Sequence, residues 1–284
     1  MINFFKSIIY SRFQIITRIY GAIFNKKGYH TFSGWGLTTT STFPPWTNVI
    51  KNKMNIHNLF IKIDNNLRKK IKEGSFTSTE NRNFKSLKEH FNRLDYLKWR
   101  QYIIFYSALH AATHTKSKIK NFVECGVGDG FSIFYAINAL KESKISYKSY
   151  LFDSWGPMKK KFLNKNEKKS FTENKYEFLN FNTVKKNFSE EKNIKFIKGY
   201  LPDTLRSINI KKISWLSIDL NSSKPTIKIL DYLYNKVEKG GIIILDDYGG
   251  GGYIETKLAV DKFFLKKKSL IFQIPTGQAL IIKK

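Results

Sequence analysis

The sequence predicts an α/β fold: a mostly parallel sheet with crossover helices, closed by a terminal antiparallel hairpin and preceded by a helical extension. Three observations carry this. After Lys120, short apolar runs alternate with polar or helix-patterned stretches, the rhythm of a parallel sheet. Two final apolar runs have no helix between them. Ahead of all of these, residues 79–114 keep apolar side chains at spacings of three and four.

Composition bounds the function classes. The 284 residues are 42% hydrophobic and 15% aromatic, ample for a packed core, which excludes a disordered chain. Fifty Lys and Arg against 22 Asp and Glu give +28, a balance that attracts phosphate backbones or anionic membranes. The lysines are scattered among abundant Asn, Ile, Phe and Tyr, so an AT-biased coding sequence accounts for the charge equally well. A single cysteine, Cys125, excludes an intrachain disulfide and suits a reducing compartment.

Three regions follow in order. Residues 1–50 form a basic amphipathic segment and loop. Eight Lys or Arg precede Asp64, the first acid, and Lys6, Arg12 and Arg18 interrupt the apolar residues of "FFKSIIYSRFQIITRIYGAIF". No apolar run reaches the ~18 residues of a spanning helix, and no signal-peptide pattern is present. The expectation is a cytoplasmic protein, with residues 1–30 lying peripherally on the inner membrane face, on a second subunit in a homo-oligomer, or on the protein itself. Residues 51–118 form a helical cap region. Within it His110 and His114 share a helix face, but Ala111 follows the first histidine, so the zinc-protease motif is absent and the pair reads as structural.

The main domain spans 119–284. "NFVECGV", "YKSYLFD", "NIKFIKG", "ISWLSID" and "GGIIILD" read as five strands, "KPTIKILDYLYNKV" as a helix stopped by Gly240 and Gly241, and "SLIFQIP" with "QALIIK" as the hairpin. Ligands of such sheets bind at the carboxyl ends of the strands. There stand Glu124, Gly126, Gly128 and Gly130, then Asp153, Gly199, Asp219, and finally Asp246 with Asp247. An acid-rich, glycine-rich edge in a chain of charge +28 marks a site. "ECGVGDG" departs from the dinucleotide fingerprint because its acid precedes the glycines.

From Phe122 onward the chain resembles the macrocin O-methyltransferase family of class I S-adenosylmethionine-dependent methyltransferases. The blocks "FVECGVGDGFS", "LFDSWG", "IKGYLPDTL", "WLSIDLNSSKPTIKILDYLYNKVEKGGIIILDDYG", "KLAVDKFF" and "PTGQALIIK" carry the likeness. It implies a Rossmann-like sheet and S-adenosylmethionine bound by Glu124, Gly126, Gly128, Gly130, Asp153, Ser154 and Gly199, with Asp153 accepting the ribose hydroxyls. It further implies Mg²⁺ or another divalent cation on Asp219, Asp246 and Asp247, with Asp219 catalytic. The substrate implied is a hydroxyl of a sugar, glycan or secondary metabolite. Where the family often has a second Asp and a Tyr after the strand-four Asp, this chain has Asn221 and Ser223, which alters the expected substrate contacts.

Two other classes share some of these features. A nucleic-acid methyltransferase fits the charge and the six lysines between 159 and 169, yet "IDLN" is not the N-P-P-Y type stretch of base-amino methylation. A membrane-bound, non-enzymatic interaction protein rests on the N-terminus alone. The lysine run reads as an insert covering the site or as a solvated face, and the tetraglycine at 249–252 as a loop able to form a lid.

Overall fold

The computed structural model of the chain describes residues 56–78, 86–170, 176–249 and 253–284, so the readings made for residues 1–50 and for glycines 250–252 lie outside it. Two helices come first, α1 (Ile56–Lys72) and α2 (Leu87–His114). Then follow β1 (Lys120–Cys125), α3 (Phe131–Glu142), β2 (Tyr147–Asp153), α4 (Phe181–Asn187), β3 (Ile194–Lys198) and β4 (Ile213–Ile218). The chain ends through α5 (Ser223–Leu233), β5 (Val237–Leu245), α6 (Ile254–Lys266), β6 (Phe272–Gln273) and β7 (Ala279–Ile282). The strands assemble in the order β3-β2-β1-β4-β5-β7-β6. β1 to β5 are parallel, and β7 runs antiparallel between β5 and β6. All five expected strands and the terminal hairpin are present. Strand order reverses between β1 and β4, which places the ligand crevice at their carboxyl ends.

Side-chain alternation along the strands builds two cores. Phe122 and Trp215 stack at 5.3 Å on the face covered by α1, α2 and α3. Val123, Cys125, Leu216, Ile218, Ile243 and Leu245 face α5 and α6 on the other. The periodic stretch ending at His114 is one helix of 28 residues, about 42 Å long at 1.5 Å per residue, with Ser86 accepting the Glu89 N–H at its start. His110 and His114 stack at 3.9 Å, and the His114 Nδ1 lies 2.9 Å from the His110 carbonyl oxygen. No helix among the described residues is long and apolar enough to cross a membrane.

One local reading needs correction. α5 ends at Leu233, a short 3₁₀ turn covers Tyr234–Lys236, and Val237 begins β5, so Gly240 and Gly241 lie inside a strand instead of stopping a helix. The reason is steric. Gly240 sits at φ +81°, and a Cβ there would collide with the carbonyl of His114, where α2 passes the sheet. Local sequence carries no trace of that crossing.

Buried charge joins the cap helices to the sheet layer. Asp64 of α1 is 2% exposed, accepting a hydrogen bond from Arg68 Nε at 2.9 Å and one from the Tyr135 hydroxyl of α3 at 2.6 Å. Arg68 also pairs with Asp95 of α2 at 2.5 Å, and Lys98 stands 3.6 Å from Asp64. Removing one member of such a cluster leaves the rest uncompensated. Asp64→Ala is therefore expected to cost about 3–5 kcal/mol in urea unfolding, and Tyr135→Phe about 1 kcal/mol. A loss below about 1 kcal/mol for Asp64→Ala would show that apolar packing alone holds the helices.

Candidate active site

The glycines after β1 answer to backbone crowding. Gly126 donates its N–H to the Phe152 carbonyl at 2.8 Å and adopts φ +88°, with the Asp219 carbonyl oxygen where a Cβ would be. Only glycine lets β1 turn out against β4 at that point. Gly128 is also left-handed, whereas Gly130 caps α3 with its bare face against the Phe188 ring, a packing role. Gly199 fits against Thr204 and donates to the Asp153 carbonyl at 2.8 Å.

Asp153 holds this loop. Its Oδ2 accepts the N–H groups of Val127 at 2.7 Å and Gly128 at 2.9 Å, and its Oδ1 accepts that of Trp155 at 2.7 Å. The oxygens assigned to a ribose are thus engaged by the protein's own backbone. Burial pushes this carboxyl up, and the backbone N–H groups work in the opposite direction. Trp155, which the sequence reading did not assign, takes φ +43° and donates Nε1–H to the Gly128 carbonyl at 2.9 Å. It clamps the loop from the other side, packed 4.8 Å from Phe181. Ser154 makes a local contact, its hydroxyl 3.3 Å from the Gly156 carbonyl. Glu124 is 2% exposed, and its Oε2 has no hydrogen-bond partner among the described residues. Burial first, then Asp219 and Asp153, push its carboxyl well above the usual range.

The three acids expected to share a cation converge. Backbone ladder bonds set them side by side: Asp219 N–H donates to Cys125 at 2.8 Å and Asp246 N–H to Ile218 at 3.0 Å. One carboxylate oxygen from each of Asp219, Asp246 and Asp247 lies within 4.8 Å of the others, the one such group among the described residues. Burial and then Asp219 hold the Asp247 carboxyl well above the usual range. Asn221 stitches the pair together. Its N–H donates to Asp247 at 2.5 Å, its Nδ2 stands 3.3 Å from Asp219, and its Oδ1 accepts the Tyr253 hydroxyl at 2.6 Å. Asp246 is held from behind by the Arg100 guanidinium of α2 and by Gln278 Nε2 at 3.0 Å. Arg100 also donates to the Thr276 carbonyl at 2.8 Å, tying α2 to the β6–β7 turn.

Three carboxyl groups facing one guanidinium form an all-oxygen donor set with acid in excess, and a bound cation would favour their ionised forms. That fits a hard divalent cation. Arg100, Gln278 and Tyr253 were not found by sequence reasoning, and Asn221 was singled out only as a departure from the family pattern. Gln278 lies in the quoted "PTGQALIIK" block without a role attached, and Arg100 sits in a helix whose pattern signals only packing.

The insert after β2 spans this edge. Phe162 stacks on Tyr200 at 5.6 Å, and the Tyr200 hydroxyl donates to the Pro157 carbonyl at 2.9 Å. Glu167 Oε1 accepts the Ser223 N–H at 2.7 Å, Asn164 Nδ2 reaches Ser223 Oγ at 3.0 Å, and Asn166 donates to Glu255 at 2.6 Å. Ser223 is thus an anchor for the insert.

Because Asp153 satisfies three backbone donors, Asp153→Ala is expected to speed amide exchange at Val127, Gly128 and Trp155 and to cost about 2–3 kcal/mol of stability. Unchanged exchange at all three amides would show that the loop holds its shape without Asp153.

Comparison with known proteins places this geometry. A solved O-methyltransferase, NovP, superposes with a TM-score of 0.59 at 21% identity, over 65% of this chain and 79% of that one. The calicheamicin methyltransferase CalS11 gives 0.54 at 14% identity, over 89% and 99%. With the strand order, these likenesses establish the class I methyltransferase fold. Mycinamicin III 3''-O-methyltransferase of Micromonospora griseorubida is 30% identical over 70 residues, 23% of this chain and 28% of that enzyme. The chain thus spans little more than a quarter of that relative's length. The macrocin-O-methyltransferase (TylF) family model matches residues 108–271, more than half of the sequence, and the chain belongs to that family.

Proposed function

We propose that the chain transfers a methyl group from S-adenosylmethionine to a hydroxyl of a sugar, glycan or secondary metabolite, with a divalent cation, Mg²⁺ above others, held by Asp219, Asp246 and Asp247. The observation that carries this reading is the convergence of three carboxylate oxygens within 4.8 Å, beside a glycine loop crowded against Asp219 itself. Family membership and the names of the relatives support oxygen as the acceptor.

In this reading the cofactor lies on the glycine loop. Glu124, Asp153 and Asp219 would present negative potential to its positive sulfonium. The cofactor would supply an electrophilic methyl group and leave as S-adenosylhomocysteine, and Asp219 would take the proton of the acceptor hydroxyl. A bound divalent cation supplies Lewis acidity that lowers the hydroxyl's pKa. Arg100 and Gln278 fix the orientation of Asp246, Asn221 fixes Asp219 and Asp247, and the insert after β2 limits water.

Two outcomes test this. Mn²⁺ binding followed by electron paramagnetic resonance, with S-adenosylhomocysteine present, should weaken by about tenfold or more in Asp219→Asn, Asp246→Asn and Asp247→Asn, while cofactor affinity is kept. Metal binding equal to wild type in all three would remove the cation from this site. Cofactor binding should also release a proton. A cation beside Glu124 lowers a carboxyl pKa that burial has raised, so affinity rises with pH across the window between the free and bound values. Calorimetry in two buffers of different ionisation enthalpy should show the release in wild type and its absence in Glu124→Gln. No release in wild type would place the cofactor's charge elsewhere.

A further inference from the structure

The insert after β2 sorts its charges by direction. Between Pro157 and Ser170 it carries six lysines and one acid. The acid, Glu167, turns inward: besides Ser223 it accepts the Ser222 hydroxyl at 3.1 Å and the Asn164 N–H at 2.8 Å, closing the N-terminus of α5 where the helix favours negative charge. Lys159, Lys160, Lys161, Lys165, Lys168 and Lys169 are all exposed. Lys159 lies over the Tyr200 ring at 4.1 Å and Lys161 pairs with Asp203 at 3.3 Å, both on the β3 side. Lys165, Lys168 and Lys169 stand instead where the insert is pinned to Ser222 and Ser223, beside exposed Lys224. Those serines follow Asn221 directly, and Asn221 holds Asp219 and Asp247. A basic rim therefore adjoins an acidic floor.

We infer that this rim, Lys165, Lys168, Lys169 and Lys224, receives a phosphate-bearing part of the acceptor while its hydroxyl reaches the acidic floor. The inference rests on the methyl-transfer reading for the acceptor's role. The ligand chemistry is a phosphate ester or diphosphate, carried either by a soluble nucleotide or by a lipid. The insert's one acid is turned inward and Glu255 of α6 is engaged by Asn166, so four exposed lysines outnumber the acids at this rim, a charge an uncharged acceptor would not use.

The test uses the full chain without divalent cations. Calorimetry with uridine diphosphate probes the soluble source, and sedimentation with phosphatidic acid vesicles probes the lipid source. The combined variant Lys165→Gln, Lys168→Gln and Lys169→Gln should weaken whichever probe binds by about tenfold or more, at roughly two- to threefold per exposed charge. A control, Lys148→Gln, Lys192→Gln and Lys195→Gln, removes equal charge from the opposite edge of the sheet, where those lysines line a cavity of about 460 Å³, and should bind like wild type. S-adenosylhomocysteine affinity is measured alongside. Its absence in wild type would overturn the methyl-transfer reading and leave the rim result standing. Failure of both probes to bind, equal weakening in both variants, or binding of an RNA oligonucleotide in place of either probe would overturn the rim proposal.

Discussion

Like charge at a buried edge is the constraint on which the rest of the site depends. Five carboxylates, Glu124, Asp153, Asp219, Asp246 and Asp247, stand at the carboxyl ends of β1, β2, β4 and β5, and Glu124, Asp153 and Asp247 are buried. Left to themselves they repel each other and lose hydration. The fold meets this in three ways. Asp153 accepts N–H groups of the glycine loop and Trp155, Asp246 is held by a guanidinium and an amide, and Asp247 accepts the Asn221 N–H. Glu124 and Asp247 remain under-compensated, which their raised carboxyl pKa values express.

That residual negative charge suits the proposed chemistry. A sulfonium is a cation, and a divalent ion is two, so the positions the protein leaves uncompensated are those where the proposed reaction brings positive charge. The surrounding structure keeps the geometry from relaxing away the repulsion. Gly126 packs against Asp219, Arg100 is fixed to Thr276 as well as to Asp246, and Tyr253 and Asn221 lock the β4 end to the start of α6.

Much of this was legible because strand ends are set by local pattern. The runs ending at Glu124, Asp153, Asp219 and Asp246 each read as a buried strand, and the sheet then aligned their carboxylates without further information. What sequence could not show was long-range. Arg100 lies 146 residues from Asp246, and its helix displays only packing periodicity. Gly240 and Gly241 looked like a helix stop because their true neighbours, the His114 carbonyl for Gly240 and the Ser214 carbonyl for Gly241, are visible only in three dimensions. The insert's lysines read as part of a cover over the site or as a solvated face, and the inward turn of Glu167 distinguishes its two faces. Asn221, read as a departure from the family pattern, turns out to bond both Asp219 and Asp247, because its left-handed backbone aims its N–H and side chain at opposite partners.

The most direct measurement is a crystal structure of the chain with S-adenosylhomocysteine and Mn²⁺, recorded at a wavelength where manganese scatters anomalously. The account predicts one anomalous peak about 2.0–2.2 Å from an oxygen of each of Asp219, Asp246 and Asp247, with the cofactor on the glycine loop beside it. No peak among those carboxylates, with the cofactor bound on the glycine loop, would contradict it.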